Sequence, residues 1–345
     1  MKKKLIISIS AILILVMVFI LLSSLLVPKY ITNPEGRLIG EYYSQAGGND
    51  VIFLGDCEVY ETFIPAILWK EYGITSYVRG SAQQLIWHSY HILEETFEYE
   101  TPKAVVFNVY SLKYGVPQSE AFNRMTFDTM KWSGAKIKGI QAAMTEEESF
   151  VDYVIPLFRY HSRITALEEN DFKYWFTKPE AVSDSGYLMQ TGIVPMKAEN
   201  ETPRELYSYD FSDRAFEYLD KIKDLCKEKG TELVLVKAPT NSWNYYWYDQ
   251  YEEQVVKYAE DNELKYYNLI EKQDEIGIDW NFDTYDEGFH LNVYGAEKTS
   301  VYFGKILAEE CGIKDNRDNS ELKSVWDNNL DKYNERKEQM EAESK

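Results

Sequence analysis

The sequence predicts a three-layer α/β sandwich with a mainly parallel central sheet, preceded by one transmembrane helix. Three observations predict it. The chain opens on lysines and a long uncharged apolar stretch. From Asp50 onward, short apolar runs alternate with amphipathic segments at helical spacing. The alternation breaks once, over about 112–205, and then resumes. Strand-helix alternation implies parallel strands joined by right-handed crossovers, with helices on both faces.

The opening "MKKKLIISISAILILVMVFILLSSLLVPKY" places an apolar run at 5–27 behind a short basic stub at 1–4. At about 1.5 Å per residue that run spans a bilayer core of about 30 Å as a helix. The lysines keep the amino terminus in the cytoplasm, so the rest of the chain lies outside the cell membrane as a single-pass protein. A cleaved signal peptide is the alternative reading; no small-x-small cleavage pattern follows the run.

Residues 28–48 read as a juxtamembrane connector with a short helix around "EGRLIGEYYSQ". The α/β domain is expected over 49–312. Its first strand is "DVIFLG" (50–55), followed by a helix from Glu58 to Tyr72 and a second strand at 74–80. The helix 82–99 carries Leu85, Ile86, Ser89, Ile92, Leu93, Thr96 and Phe97 on one face. "KAVVFNVYS" (103–111) is the third strand. The insertion 112–205 is partly helical and then loop-like, and insertions of this length tend to be functional. A capped helix (212–230), a strand (231–240), another helix, a short strand (264–270) and a last helix from Val293 complete the domain. The tail 313–345 is charged, with few apolar positions, and reads as a solvated helix.

The net charge of −20 argues against non-specific nucleic-acid binding, because phosphates are repelled. The chain is 45% hydrophobic, enough for a real core. Its 28 Tyr and 8 Trp suit polar, sugar-like ligands, which such rings both stack on and hydrogen-bond. The cysteines are Cys57, Cys226 and Cys311. Cys226 and Cys311 read as packing residues near helix ends, and no disulfide framework is present. His88 and His91 stand three apart on one helix, but no third ligand lies near them in sequence, so no metal site or cofactor is expected. His161 reads as a structural polar residue.

Ligands of such folds sit beyond the carboxyl ends of the strands. Cys57 follows the first strand at a helix amino terminus, where the dipole lowers a thiol pKa. His290 stands in the polar loop "DEGFHLN" before the last helix. Asp286, Glu287 and Asp283 precede it and are candidates to orient the imidazole, with Asp286 preferred. The Gly80 N–H and the Asn108 side chain end neighbouring strands and are candidate oxyanion donors. Each has a plainer reading: Cys57 as a small buried turn residue, Gly80 as a backbone requirement, Asn108 as a bond within its own turn. The aromatic runs at 174–176 and 241–248 with Tyr187 read either as a sugar-stacking wall or as core; Tyr187 and Trp243 are the candidate substrate-binding residues.

The order "GDC", Gly80, Asn108 and "FHLNVYGAEKTS" resembles the SGNH/GDSL hydrolase superfamily, whose signature blocks centre on Ser, Gly, Asn and His. With the anchor and "GDCE", it is similar to the branch that holds the D-alanyl-transfer protein of teichoic-acid modification and the O-acetyltransferases of exported polysaccharides. The resemblance covers roughly 50–111 and 231–312 and implies an SGNH-like, flavodoxin-like sheet. It implies an esterase or acyltransferase acting on cell-surface polysaccharide or teichoic acid, with a membrane acyl-donor protein as partner. Two departures stand out: Cys57 occupies the place of the family's Ser, and Glu287 the place three before the His. The alternative is a catalytically degenerate binding or scaffold protein of the cell envelope on the same fold.

Overall fold

The computed structural model describes residues 2–196, 205–241 and 247–343. The chain runs through α1 (Lys2–Leu26), α2 (Leu38–Glu41), β1 (Val51–Gly55), α3 (Cys57–Tyr60), α4 (Pro65–Tyr72), β2 (Ser76–Gly80), α5 (Ile86–Tyr99) and β3 (Ala104–Asn108). The insertion then contributes α6 (Glu120–Phe127), α7 (Gly134–Ala143), α8 (Phe150–Val154), α9 (Pro156–Tyr160) and α10 (Glu169–Phe176). The remainder is α11 (Asp213–Lys229), β4 (Glu232–Lys237), α12 (Asp249–Asp261), β5 (Lys265–Asn268), α13 (Gln273–Ile276), α14 (Val293–Glu309) and α15 (Ser320–Glu343).

One sheet of five strands carries the fold, in the order β2-β1-β3-β4-β5. Every pairing is parallel, and the register sets Gly55 beside Gly80, and Asn108 beside Val236. The strands β2, β1, β3 and β4 therefore end together along one side of the sheet. The strand order reverses direction between β1 and β3, which opens a crevice beyond their carboxyl ends. Cys57 lies at that crevice.

All five residues of β1, and all five of β3, are buried. A strand covered on both faces needs a continuous apolar run rather than alternation, which is what "VIFLG" and "AVVFN" supply. Ile52, Leu54, Val105 and Phe107 face a core closed by α5, α11 and α12. Val51, Phe53, Val106 and Val234 face a second core closed by α4 and α14. Cys226 belongs to the first core and Cys311 packs against the second.

Two stretches differ from expectation. The helix expected from Glu58 to Tyr72 is two helices, α3 and α4, because Pro65 opens α4 and holds Ile64 extended at φ −106°, ψ 104°. Gly73 then ends α4 in the left-handed conformation, at φ +66°. The tail, expected to be solvated, docks on the domain as α15. Trp326 stacks on Trp69 at a ring separation of 5.9 Å, and the Trp69 indole donates to Asp327. Tyr333 is buried and donates to Glu297. Such an aromatic pair contributes about 0.5–1.5 kcal/mol beyond its area.

α1 is apolar on every side, with a mean hydropathy of 3.3, and is long enough to cross a membrane. It exposes its side chains from Lys3 to Leu22 and buries Leu25 and Leu26 against the insertion. The end of the insertion returns to the sheet. The Val78 N–H donates to the Ser185 carbonyl and the Leu188 N–H to the Tyr60 carbonyl, so this segment covers the edge strand β2.

Candidate active site

Gly55, Asp56 and Cys57 make the turn from β1 into α3. A side chain at Gly55 would collide with Val59 and press on Asn108, so the turn requires glycine there. Asp56 caps α3, its carboxylate accepting the Glu58 N–H at 3.3 Å. The turn puts the Cys57 thiol at the floor of a cavity of about 560 Å³.

His290 reaches the same thiol from the loop before α14. That loop is held by Asn292, which caps α14 through the N–H groups of Tyr294 and Gly295. Asn292 also donates to the carbonyls of Gly192 and Phe282. His290 Nε2 lies 3.0 Å from Cys57 Sγ. Its Nδ1 lies 2.6 Å from Asp286 Oδ2, while Asp286 Oδ1 accepts the His290 backbone N–H at 2.8 Å. Asp286 thus grips the ring and backbone of one residue. With Nδ1–H donating to Asp286, Nε2 is left to accept the thiol proton.

Of the other acid candidates, Asp283 is occupied elsewhere and Glu287 is placed by its backbone. Asp283 is buried and accepts from Lys298 and from the Asp279 N–H. Glu287 sits at φ +67°, its N–H donating to the Val194 carbonyl. A carboxylate that the sequence reading passed over is closer: Glu61 Oε2 lies 3.9 Å from His290 Nδ1 and receives the Tyr285 hydroxyl. Glu61 looked like an ordinary helical glutamate; only its four-residue offset from Cys57 hinted at a shared face.

Burial dominates the electrostatics of the pocket. It pushes the Cys57 thiol up to about 11; His290 pulls the other way, and the nearby Asp56 and Glu61 add to the rise. The expected lowering by the helix dipole is therefore overturned: α3 spans only four residues, and desolvation outweighs it. Burial opposes charging of His290, but a thiolate at Cys57, with Asp286 and Glu61, raises it well above the ordinary imidazole value, so the imidazolium is favoured once the thiol proton has moved to Nε2. Burial also raises Glu61 to about 7 and, with Glu58 beside it, Asp56 to about 7.

Asn108 does not face the cavity. Its amide Nδ2 donates to Glu58 Oε2 at 2.7 Å, and its Oδ1 accepts the Ala238 N–H at 3.1 Å. The same Glu58 carboxylate binds Lys237 Nζ through both oxygens, at 2.8 Å each. Glu58, Lys237 and Asn108 form a buried network that ties the ends of β3 and β4 to the residue after the thiol. One Nδ2 hydrogen and the Oδ1 of Asn108 are engaged in this network, and Asn108 is not among the residues that line the cavity. Gly80 ends β2 where any side chain would press on the Gly55 carbonyl and the Tyr60 ring, at 3.0 Å from each. Close packing thus accounts for its glycine.

The cavity walls include Tyr60, Tyr110, Tyr114, Tyr285, Gln83 and Thr32. Thr32, with Asn33 and Glu35, comes from the connector just after α1. Gln83 sits at φ +48°, and its Oε1 is buried with no partner among the described residues. Tyr187, expected at the substrate, is instead fully buried and packs beside Tyr333. Its side chain fills a core under the docked tail. Tyr174–Phe176 belong to α10 and stand beside α1, not at the cavity. Trp243 lies outside the described residues.

The remaining histidines have local roles. His88 accepts the Leu85 N–H and pairs with Asn123; His91 pairs with Glu94. His161 is exposed, beside the Phe158 carbonyl. Among the described residues no group of three metal-ligating side chains occurs. No protein-family model matches the chain, and neither does any curated protein.

Proposed function

We propose that the chain is an extracytoplasmic, membrane-anchored acyl transferase or esterase of the SGNH type. Its substrates are hydroxyl esters of cell-surface glycan or teichoic acid. The observation that carries this reading is the 3.0 Å approach of His290 Nε2 to Cys57 Sγ, with Asp286 holding the far side of the ring. Nucleophile, base and orienting acid in that order are the parts of covalent acyl transfer.

The steps follow from the geometry. His290 Nε2 takes the thiol proton as Cys57 Sγ attacks the carbonyl carbon of the acyl donor. Asp286 stabilises the imidazolium that forms. The carbon–oxygen bond to the leaving group breaks, and the leaving oxygen takes the proton from His290. The acyl group is now a thioester on Cys57. An acceptor hydroxyl, from a sugar or from water, then loses its proton to His290 and attacks the thioester. The thiol leaves, is reprotonated by His290, and the enzyme is restored. Transfer from a thioester to a hydroxyl is downhill, which suits a Cys in the place of a Ser. Candidate oxyanion donors are the N–H groups of Gly80 and of Cys57, the latter in the first turn of α3, where helical N–H groups lack intrahelical partners.

A second reading, a binding protein with a silent site, draws on one observation: burial pushes the thiol up to about 11, so little thiolate exists at neutral pH. Intact-mass measurement on the full chain in detergent, after incubation with p-nitrophenyl acetate, separates the two. One acetyl group on the wild type, absent from Cys57→Ala and at least 100-fold slower to form in His290→Gln, supports the enzyme. A wild type that gains no acetyl group supports the binding protein.

A further inference from the structure

The insertion presents an apolar surface that the site does not use. Val151, Val154 and Phe158 are exposed on α8 and α9, Ile164 follows them, and Phe172 and Phe176 are exposed on α10. Phe176 is 81% exposed. Val151 and Val154 share a face of α8, Phe172 and Phe176 share a face of α10, and Phe158 stands on the separate helix α9. α8 adjoins α9, and α9 and α10 both pack against α1, so these exposed apolar residues stand on helices gathered at one end of α1.

The position of the patch in the fold is the second observation. α9 and α10 pack against α1. The Trp175 indole of α10 donates to Ser24 Oγ at 2.9 Å, and the Arg163 guanidinium donates to the Leu26 carbonyl at 2.5 Å. These contacts fall on the last two turns of α1. The exposed apolar part of α1, from Leu5 to Leu22, is roughly 27 Å long at about 1.5 Å per residue. That nearly fills a hydrocarbon core of about 30 Å, so the boundary of the bilayer falls at the last turns. Whatever packs there lies at the level of the headgroups and upper acyl chains.

We propose that α8–α10 is a second membrane contact: a foot whose apolar side chains enter the same leaflet that α1 leaves. The inference rests on α1 being a membrane-spanning anchor. The foot lies flat in the interface, as amphipathic helices do when one face is apolar and the helix does not span. Two contacts fix the tilt of the domain, which a single helix and a connector do not. The connector residues Thr32 and Asn33 line both the Cys57 cavity and a neighbouring hollow of about 380 Å³ walled by Arg159, Tyr160 and Asp171 of this segment. A foot in the leaflet therefore holds the Cys57 cavity on the membrane side of the domain.

The test uses the full chain in phosphatidylcholine vesicles that contain a phosphatidylcholine with a photoreactive diazirine in its acyl chain. After illumination, adducts are mapped by peptide mass. The foot predicts lipid adducts on α1 and on peptides from 150–176, the latter several-fold above those from α15. It also predicts that Phe158→Ser/Phe172→Ser/Phe176→Ser loses the second set and keeps the first. These side chains are exposed, so the fold survives the change. Adducts on α1 alone overturn the foot. Protein–protein cross-links through 150–176 without lipid adducts overturn it in favour of a second copy of the chain. No adducts on α1 overturn the anchor reading and the foot with it.

Discussion

Glu58 and Lys237 meet behind the thiol with both carboxylate oxygens 2.8 Å from Nζ, and neither side chain reaches solvent. Glu58 follows Cys57 directly and Lys237 ends β4, so this pair joins the turn that carries the thiol to the sheet. Removing one partner of a buried pair leaves the other charge uncompensated, at about 3–5 kcal/mol. Lys237→Met is expected to destabilise the domain by that amount, read as a shift in thermal unfolding. Glu58→Gln/Lys237→Met, which removes both charges, is expected to cost clearly less. If the double variant is as unstable as the single one, the pair is not what holds the turn.

Asp286 accepts both the His290 ring N–H and its backbone N–H. Asp286→Asn keeps the shape but offers the wrong hydrogen-bond partner, so the proton on the ring moves to Nε2 and the base is lost. Acylation of Cys57 is expected to slow by about 10²- to 10⁴-fold, with the fold intact by circular dichroism. Glu287→Gln, one residue along, is expected to leave the rate within about threefold. Equal loss in both variants would assign the orienting role to the loop as a whole.

The thiol itself makes a prediction about pH. Thiolate is the reactive form, and burial raises Cys57 to about 11. Its alkylation by iodoacetamide is expected to be slow at pH 7 and to climb about tenfold per pH unit until above pH 10. Peptide mass spectrometry must follow Cys57 by itself, because Cys311 is also raised to about 11. A rate that is already flat from pH 6 would mean a thiolate–imidazolium pair at rest.

Much of this arrangement is legible in the chain, for reasons that differ by residue. β1 and β3 announce themselves because strands buried on both faces are unbroken apolar runs. Cys57 and His290 stand out because each ends or precedes an element at the carboxyl edge, where parallel sheets carry their sites. Asn108 is harder to read: its type and place suit an oxyanion donor, and only the fold reveals its bonds to Glu58 and to the Ala238 N–H. Glu61 is invisible because nothing local separates it from any helical glutamate. The docking of α15 rests on Trp326 and Tyr333, two aromatics that a highly charged stretch hides from a count of apolar positions. Pro65 was in plain view, and the extended Ile64 before it is the ordinary consequence of a proline ring.

Glu61 gives the last prediction. Its carboxyl is 4% exposed and burial raises it from 4.5 to about 7, despite His290 and the Tyr285 hydroxyl favouring the charge. A carboxyl whose pKa is higher in the folded state binds its proton more tightly there than in the unfolded chain. Its contribution to stability is complete below about pH 4.5 and is lost as pH rises through about 7. At roughly 1.4 kcal/mol per pKa unit, the loss is about 3 kcal/mol. Glu61→Gln stays neutral and keeps an acceptor for Tyr285. The variant is therefore expected to match the wild type near pH 4.5 and to be the more stable of the two at pH 8, by up to about 3 kcal/mol. Asp56, raised to about 7 by burial and by Glu58, stays in both proteins, so the comparison isolates Glu61. Thermal unfolding of both proteins from pH 4.5 to 8 measures the gap. A constant gap across that range would mean that Glu61 is charged throughout, held by a permanently protonated His290.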